Sequence, residues 1–195
     1  MNPQKIFLAV SGTSGSGKTT LVNRLLANYP NVSRLITSTT RNPRKGEIDG
    51  QDYHFLNKET FQNGLNQSAF VEHAEVYGNY YGLSKKEIIN QSYTCKDLIV
   101  CLDVQGIRSL QGCISQLNIS YRLVCVFVSP PSIEDLRQRL IMRGTDDEQT
   151  IQKRLQTAER ELETLSQFDY YLRSQDRESD WHAMQSIYLT EKMRI

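Results

Sequence analysis

Residues Gly12-Thr13-Ser14-Gly15-Ser16-Gly17-Lys18-Thr19 follow the spacing G-x-x-x-x-G-K-T. Glycines at this spacing let successive backbone N–H groups curl around a polyphosphate at a helix N-terminus. Lys18 supplies a point charge to the outer phosphates, and the Thr19 hydroxyl can ligate Mg²⁺. The apolar run Ile6-Phe7-Leu8-Ala9-Val10 precedes the loop and the helical pattern Leu21-Val22-Asn23-Arg24-Leu25-Leu26 follows it, which is the strand-to-helix setting a phosphate loop needs. Residues Gly12 to Thr19 are therefore the expected binding site of a nucleoside triphosphate. The loop does not say what happens to the phosphate.

Four further clusters bear on that question. In Thr37-Ser38-Thr39-Thr40-Arg41-Asn42-Pro43-Arg44-Lys45-Gly46-Glu47, two guanidinium groups stand three residues apart, and two such forks can grip one phosphate. Val71-Glu72-His73 and Gly78-Asn79-Tyr80-Tyr81-Gly82 offer a carboxylate and paired phenols. A carboxylate accepts from two adjacent donors, as on the N1 and N2 edge of guanine, an edge that adenine cannot present. Asp103 ends an apolar run and precedes Val104-Gln105-Gly106, where it can orient Mg²⁺ or its waters, or cap a helix. Arg137, Arg139, Arg143 and Arg154 flank a short Gly/Asp-rich turn in the manner of a hinged lid, with pairing of Arg137 to Glu134 or Asp135 as the plainer reading of that arginine. No Ser-His-Asp or Cys-His constellation is present, and His54, His73 and His182 are isolated.

Transfer of a phosphoryl group to a nucleoside monophosphate fits this inventory. The acceptor oxygen is already anionic near pH 7, so little general-base help is needed. The difficulty is repulsion between two polyanions, which cations must neutralise while a lid excludes water.

The elements that must position these residues are legible in outline. Apolar runs at 5–11, 97–103 and 122–128 read as buried parallel strands, with helical patterns at 18–28, 104–115, 132–142 and 148–166. This is a doubly wound α/β core. Residues 33–96 break the rhythm with short alternating pieces at 52–56 and 70–77, read as a mixed, half-exposed sheet inserted over the phosphate site. Ser132-x-x-Asp135 and Ser84-x-x-Glu87 read as capping boxes, and the tail to Met193 as a packing helix. The 195 residues suit one domain with an insertion, and 23 Lys+Arg against 22 Asp+Glu leave no field to draw nucleic acid or membrane. Cys95, Cys101, Cys113 and Cys125 lack Cys-x-x-Cys spacing and read as reduced thiols. No signal segment or membrane span is read, so a soluble cytoplasmic protein is expected. No feature fixes an oligomeric state.

The chain resembles guanylate kinases over roughly residues 5 to 172. The resemblance rests on the phosphate loop, Ser38-Thr39-Thr40-Arg41-x-x-Arg44-x-Gly46-Glu47, Asp52-Tyr53, Phe70-Val71-Glu72, Gly78-Asn79-Tyr80-Tyr81-Gly82, Asp103-x-Gln105-Gly106, Pro130-Pro131-Ser132, and Arg139-Leu140-x-x-Arg143-Gly144 with Arg154. It implies a single domain with a P-loop parallel-sheet core with helices on both faces (1–32, 97–136 and 158–195), an inserted mixed α+β GMP-binding subdomain (33–96) and a helical lid (137–157). It implies Mg²⁺ with ATP as donor and GMP as acceptor, giving ADP and GDP. By the same resemblance Arg41, Arg44, Tyr53 and Tyr81 hold the GMP phosphate with help from Glu47. Thr37 and Glu72 read guanine, Asp103 lies on the GMP and metal side, and Lys18, Arg139, Arg143 and Arg154, with Arg41, serve the transfer. Three positions depart from the family pattern: Leu83 for Ser or Thr, Cys101 for a second aspartate, and Arg173-Ser174-Gln175 for Val-Asn-Asp. They motivate two rivals: a monophosphate kinase with altered acceptor preference, and an interaction module without turnover.

Overall fold

The computed structural model describes residues 5–76, 78–94, 96–144 and 147–194, without the Arg143 side chain. In chain order the elements are β1 (Ile6–Gly12), α1 (Lys18–Asn28), β2 (Val32–Arg34), β3 (Ser38–Thr39), β4 (His54–Phe55), α2 (Lys58–Asn66), β5 (Phe70–Val76), β6 (Asn79–Ser84), α3 (Lys85–Ser92) and β7 (Asp97–Cys101). They continue with α4 (Val104–Cys113), β8 (Arg122–Ser129), α5 (Ile133–Arg143), α6 (Glu148–Leu162), β9 (Tyr170–Arg173) and α7 (Arg177–Met193). Single 3₁₀ turns at Ile114–Leu117 and Leu165–Gln167 extend α4 and follow α6.

Five strands form an all-parallel sheet in the order β2-β7-β1-β8-β9. The alternation along β1 explains the layers. Ile6, Leu8 and Val10 face a cluster that takes in Leu21, Val22 and Leu25 of α1 and Trp181, Met184 and Tyr188 of α7. Phe7 and Ala9 face the other cluster, with Ile88 of α3 and Ile107 and Leu110 of α4. A strand covered on both faces must be apolar at every position, which is why these runs show no polar alternation. Glycine is required where β1 ends: a Cβ on Gly12, whose φ is +137°, would stand 1.9 Å from the Val128 carbonyl oxygen. That contact lets the phosphate loop leave the sheet directly beside β8.

The second sheet has the order β4-β3-β6-β5, with β3 parallel to β4 and the other pairs antiparallel. Phe61 of α2 fastens it by stacking on Phe70 at 4.4 Å and on Tyr80 at 5.5 Å between ring centroids. Helices α5 and α6 pair through their own cluster of Leu136, Leu140, Ile151, Leu155 and Ala158.

Several expectations are refined. Ser33 and Arg34, read as the start of the insertion, are strand residues of the core sheet, paired with β7. Strands β2, β3 and β9 are not foreseen by the periodicity, because two to four residues are too few to set a pattern against their flanks; β6 is not foreseen because its run Asn79–Ser84 carries no clear apolar alternation. Both capping boxes form only their first half. The Glu87 and Asp135 N–H groups donate to Ser84 and Ser132, but the Glu87 carboxylate accepts from Ile36 N–H at 3.2 Å and Ser132 donates its own hydroxyl to Asp135. No helix among the described residues is long and apolar enough to cross a membrane.

One buried carboxylate ties the far edge of the sheet. Asp97, first residue of β7, accepts from Ile6 N–H at 2.8 Å, the Tyr188 hydroxyl at 2.7 Å and Lys192 Nζ at 3.0 Å. It thereby joins two central strands to α7. Asp97→Ala strands those donors in an apolar setting, at a cost of about 3–5 kcal/mol. A lower urea midpoint with unchanged m value would register the loss, and a midpoint equal to wild type would exclude this anchoring role.

Candidate functional site

The ends of β1 and β7 and the start of α1 open on one cavity of about 400 Å³. The core side of its lining is Gly12, Ser14, Lys18, Thr19, Cys101 and Asp103; the inserted sheet contributes Thr37, Tyr53, Glu72 and Tyr81; α6 contributes Glu161. Chemistry-bearing side chains that are distant in sequence thus share one volume at the C-terminal edge of the parallel strands, where ligands of such sheets bind.

On the core side, Lys18 folds over the loop and donates to the Gly12 and Thr13 carbonyls at 2.6 and 2.7 Å. Burial pushes its ammonium down from the ordinary value, while Cys101 and Glu161 act in the opposite direction. The Ser16 hydroxyl is buried without a hydrogen-bond partner among the described residues, as suits a loop shaped to receive an anion. Asp103 fills both roles read for it: its Oδ1 accepts from Gly106 N–H at 2.7 Å as the cap of α4, and it also lines the cavity.

The inserted sheet presents its carboxylate through a bulge. The pairing of β5 with β6 slips between Phe70 and Glu72, a device that re-aims a side chain. Glu72 is 6 % exposed, and burial, reinforced by Asp103 and opposed by the Leu83 backbone, raises its pKa to about 7. Leu83 is itself fully buried in the core, so its side chain packs rather than offering a polar contact to the cavity.

Arg41 is held before any ligand arrives. Its two terminal nitrogens donate to both Glu47 oxygens at 2.9 Å, and its guanidinium lies 5.4 Å from the Tyr53 ring centre. Glu47 also accepts from Arg44 N–H at 2.6 Å, which closes the turn. These hydrogen bonds hold the Glu47 carboxyl below its usual range. The Arg44 side chain is exposed, outside the cavity lining.

A second cavity of about 500 Å³ opens on the other side of the phosphate loop, between Gly15–Gly17 and the β9–α7 turn. Arg139 lies here, donating to the Ser174 hydroxyl at 2.7 Å and to the Ser174 and Gln175 carbonyls. Ser174 passes its own hydrogen to Asp180 at 2.6 Å. Arg154 of α6 donates to the Ser14 hydroxyl, bringing the helix pair onto the loop. Arg137 pairs with Glu148 at 3.1 Å, not with Glu134 or Asp135. The Arg143 side chain lies outside the described residues.

Glu161 was missed by the sequence reading. It stands seven residues after Arg154, two turns along the same helix, so both project toward the loop while Ile151, Leu155 and Ala158 face α5. That spacing is visible in the sequence, but an acid in a charged helix reads as solvated until the packing is known. Burial raises its pKa to about 7, with Lys18 opposing and Asp103 adding to the shift.

A family model described as guanylate kinase matches residues 4–191. The chain is 39% identical to the guanylate kinase of Desulfitobacterium hafniense over 193 residues, covering 97% of this chain and 92% of that one. It is 41% identical to that of Neisseria gonorrhoeae over 169 residues, 87% of this chain and 80% of the other. The crystal structure of guanylate kinase from Anaplasma phagocytophilum superimposes with a TM-score of 0.76 at 27% identity, covering all of this chain and 89% of that one.

Carboxylates in such different settings should separate in a titration. Carboxyl-carbon NMR of glutamate-labelled protein should show two midpoints near 7, one lost in Glu72→Gln and the other in Glu161→Gln, with Glu47 below the ordinary range. Ordinary midpoints for all three would contradict the burial argument.

Proposed function

We propose an activity from one premise: this chain belongs to the guanylate kinase family. It transfers the γ-phosphoryl group of ATP to GMP, giving ADP and GDP. The observation that carries this reading is the single cavity in which the phosphate loop faces Thr37, Tyr53, Glu72 and Tyr81.

The assignments follow from charge and reach. Gly12 to Thr19 cradle the ATP phosphates, and Lys18 exchanges its loop carbonyls for phosphate oxygens, where its charge counts most as the transfer proceeds. Arg41, kept in place by Glu47, takes the GMP phosphate with Arg44, Tyr53 and Tyr81. Glu72 and Thr37 read the guanine edge. Arg139, Arg143 and Arg154 bring positive charge from the 137–157 lid, and Arg154 already reaches Ser14. Core (1–32, 97–136, 158–195), GMP-binding insertion (33–96) and lid remain the proposed division, with β2 returned to the core sheet.

The Thr19 hydroxyl and the carboxylates of Asp103 and Glu161 face one volume, a hard-oxygen donor set that fits Mg²⁺. Thr19 and Asp103 would hold the ion directly or through water, and it would supply charge neutralisation between the two phosphate chains. Burial raises the Cys101 thiol, so the neutral sulfur adds no hard ligand. The free thiols of Cys101, Cys113 and Cys125 support a reducing, cytoplasmic setting.

A coupled assay of ADP release from Mg²⁺ATP with GMP, dGMP, AMP, UMP or dTMP tests the reading. Turnover with the guanine acceptors alone is expected. Faster turnover of another base would select the altered-acceptor kinase, and GMP binding without ADP release the interaction module.

The acidity of Glu72 gives a second test with a definite sign. Only the ionised carboxylate accepts both guanine hydrogens, and in the free site the proton is retained below about pH 7. KM for GMP should therefore rise on acidification, by roughly tenfold between pH 8 and pH 6. Glu72→Gln should remove most of this slope and leave the roughly twofold change that the second ionisation of the GMP phosphate, near pH 6, imposes on its own; a wild-type KM flat across this window would remove Glu72 from base recognition.

A further inference from the structure

Helix α4 turns a bare backbone toward the carboxylate proposed to read guanine. A Cβ on Gly106 would lie 3.0 Å from Glu72 Oε2, 3.2 Å from its Cδ and 3.1 Å from Leu102 Cβ, all closer than ordinary contact. The backbone of Gly106 is helical and its φ is not positive, so its conformation does not call for glycine. Alanine is the better helix former. What crowds a side chain here is the space that Glu72 and the Leu102 Cβ occupy.

We propose that Gly106 is a specificity-determining positioning residue: its missing side chain sets the depth at which the Glu72 carboxylate sits and so sets the fit to guanine. Two contacts define that depth. The Gly106 N–H donates to Asp103 at 2.7 Å, which fixes the first turn of α4, and the bare Cα then forms the surface on which Glu72 rests. A methyl group at 106 presses on two neighbours of unequal stiffness. Leu102 Cβ is fixed to the backbone, whereas the carboxylate ends a flexible chain, so Glu72 moves outward by a few tenths of an ångström. A paired contact to N1–H and N2–H asks the right distance and angle of both oxygens at once, and since a misplacement of about 1 Å costs on the order of 100-fold, a shift of a few tenths is enough for roughly tenfold.

This inference rests on the assignment of Glu72 to guanine, and the test separates the two. Gly106→Ala should raise KM for GMP roughly tenfold while leaving kcat and the KM for ATP within about twofold. It should also narrow the preference for GMP over inosine monophosphate, which lacks the 2-amino group. Gly112→Ala is the control: it lies on the same helix, and its Cβ meets nothing within 4 Å, so Tm should hold or rise and KM should not move. Glu72→Gln is measured beside them. If it leaves KM for GMP at the wild-type value, the assignment of Glu72 fails and this inference with it. If Glu72→Gln raises KM and Gly106→Ala does not, the role of Gly106 alone is overturned. A Gly106→Ala protein that does not fold, beside a folded Gly112→Ala, would also overturn it, by making the glycine a packing requirement of Leu102.

Discussion

Everything on the core side of the site is organised by one partly buried ammonium. Lys18 is largely desolvated at the cavity wall, where two loop carbonyls accept from it and Glu161 helps to hold its charge. The carboxylates in that space carry a cost of their own: burial, reinforced by Asp103, raises the pKa of Glu72 and of Glu161 to about 7. The nucleotide-free site is thus an internally compensated cluster. In the proposed function a polyphosphate that enters would take over the role of counter-ion and free Lys18 from its own loop, turning a self-contained arrangement into a receptive one.

The sheet explains why this cluster can be held so tightly. Gly12 lies against Val128, so the phosphate loop springs from a point locked between β1 and β8. At the opposite edge Asp97 joins β7, β1 and α7, and the strands that deliver Gly12 and Asp103 are fastened at both ends. Helix α4 then serves two layers at once: Ile107 and Leu110 enter the core, while its first turn meets the inserted sheet through Gly106 and Glu72.

The parts of this arrangement written in local chemistry were legible from the chain. The phosphate loop, the long strands β1, β7 and β8, and the caps at Asp103, Ser84 and Ser132 are decided by residues within a few positions of one another. Strands β2 and β9 escaped because three or four residues become a strand only when a neighbour is there to pair with. Glu161 escaped for a related reason: its character is set by what α6 packs against, not by its sequence neighbours. The departures at Leu83, Cys101 and Ser174 were visible, but their meaning was not. Leu83 turns inward as core, Cys101 stays a neutral thiol, and Ser174 links Arg139 to Asp180.

The clamp of Glu47 on Arg41 has a thermodynamic consequence. An arginine side chain left to wander surrenders up to about 2 kcal/mol of rotamer freedom when it is finally ordered. Here that surrender happens during folding, because both terminal guanidinium nitrogens are already engaged and the turn is closed by Arg44 N–H. In the role proposed for this arginine, a phosphate monoester would meet a receptor with little disorder left to lose, so more of the contact energy would survive as affinity.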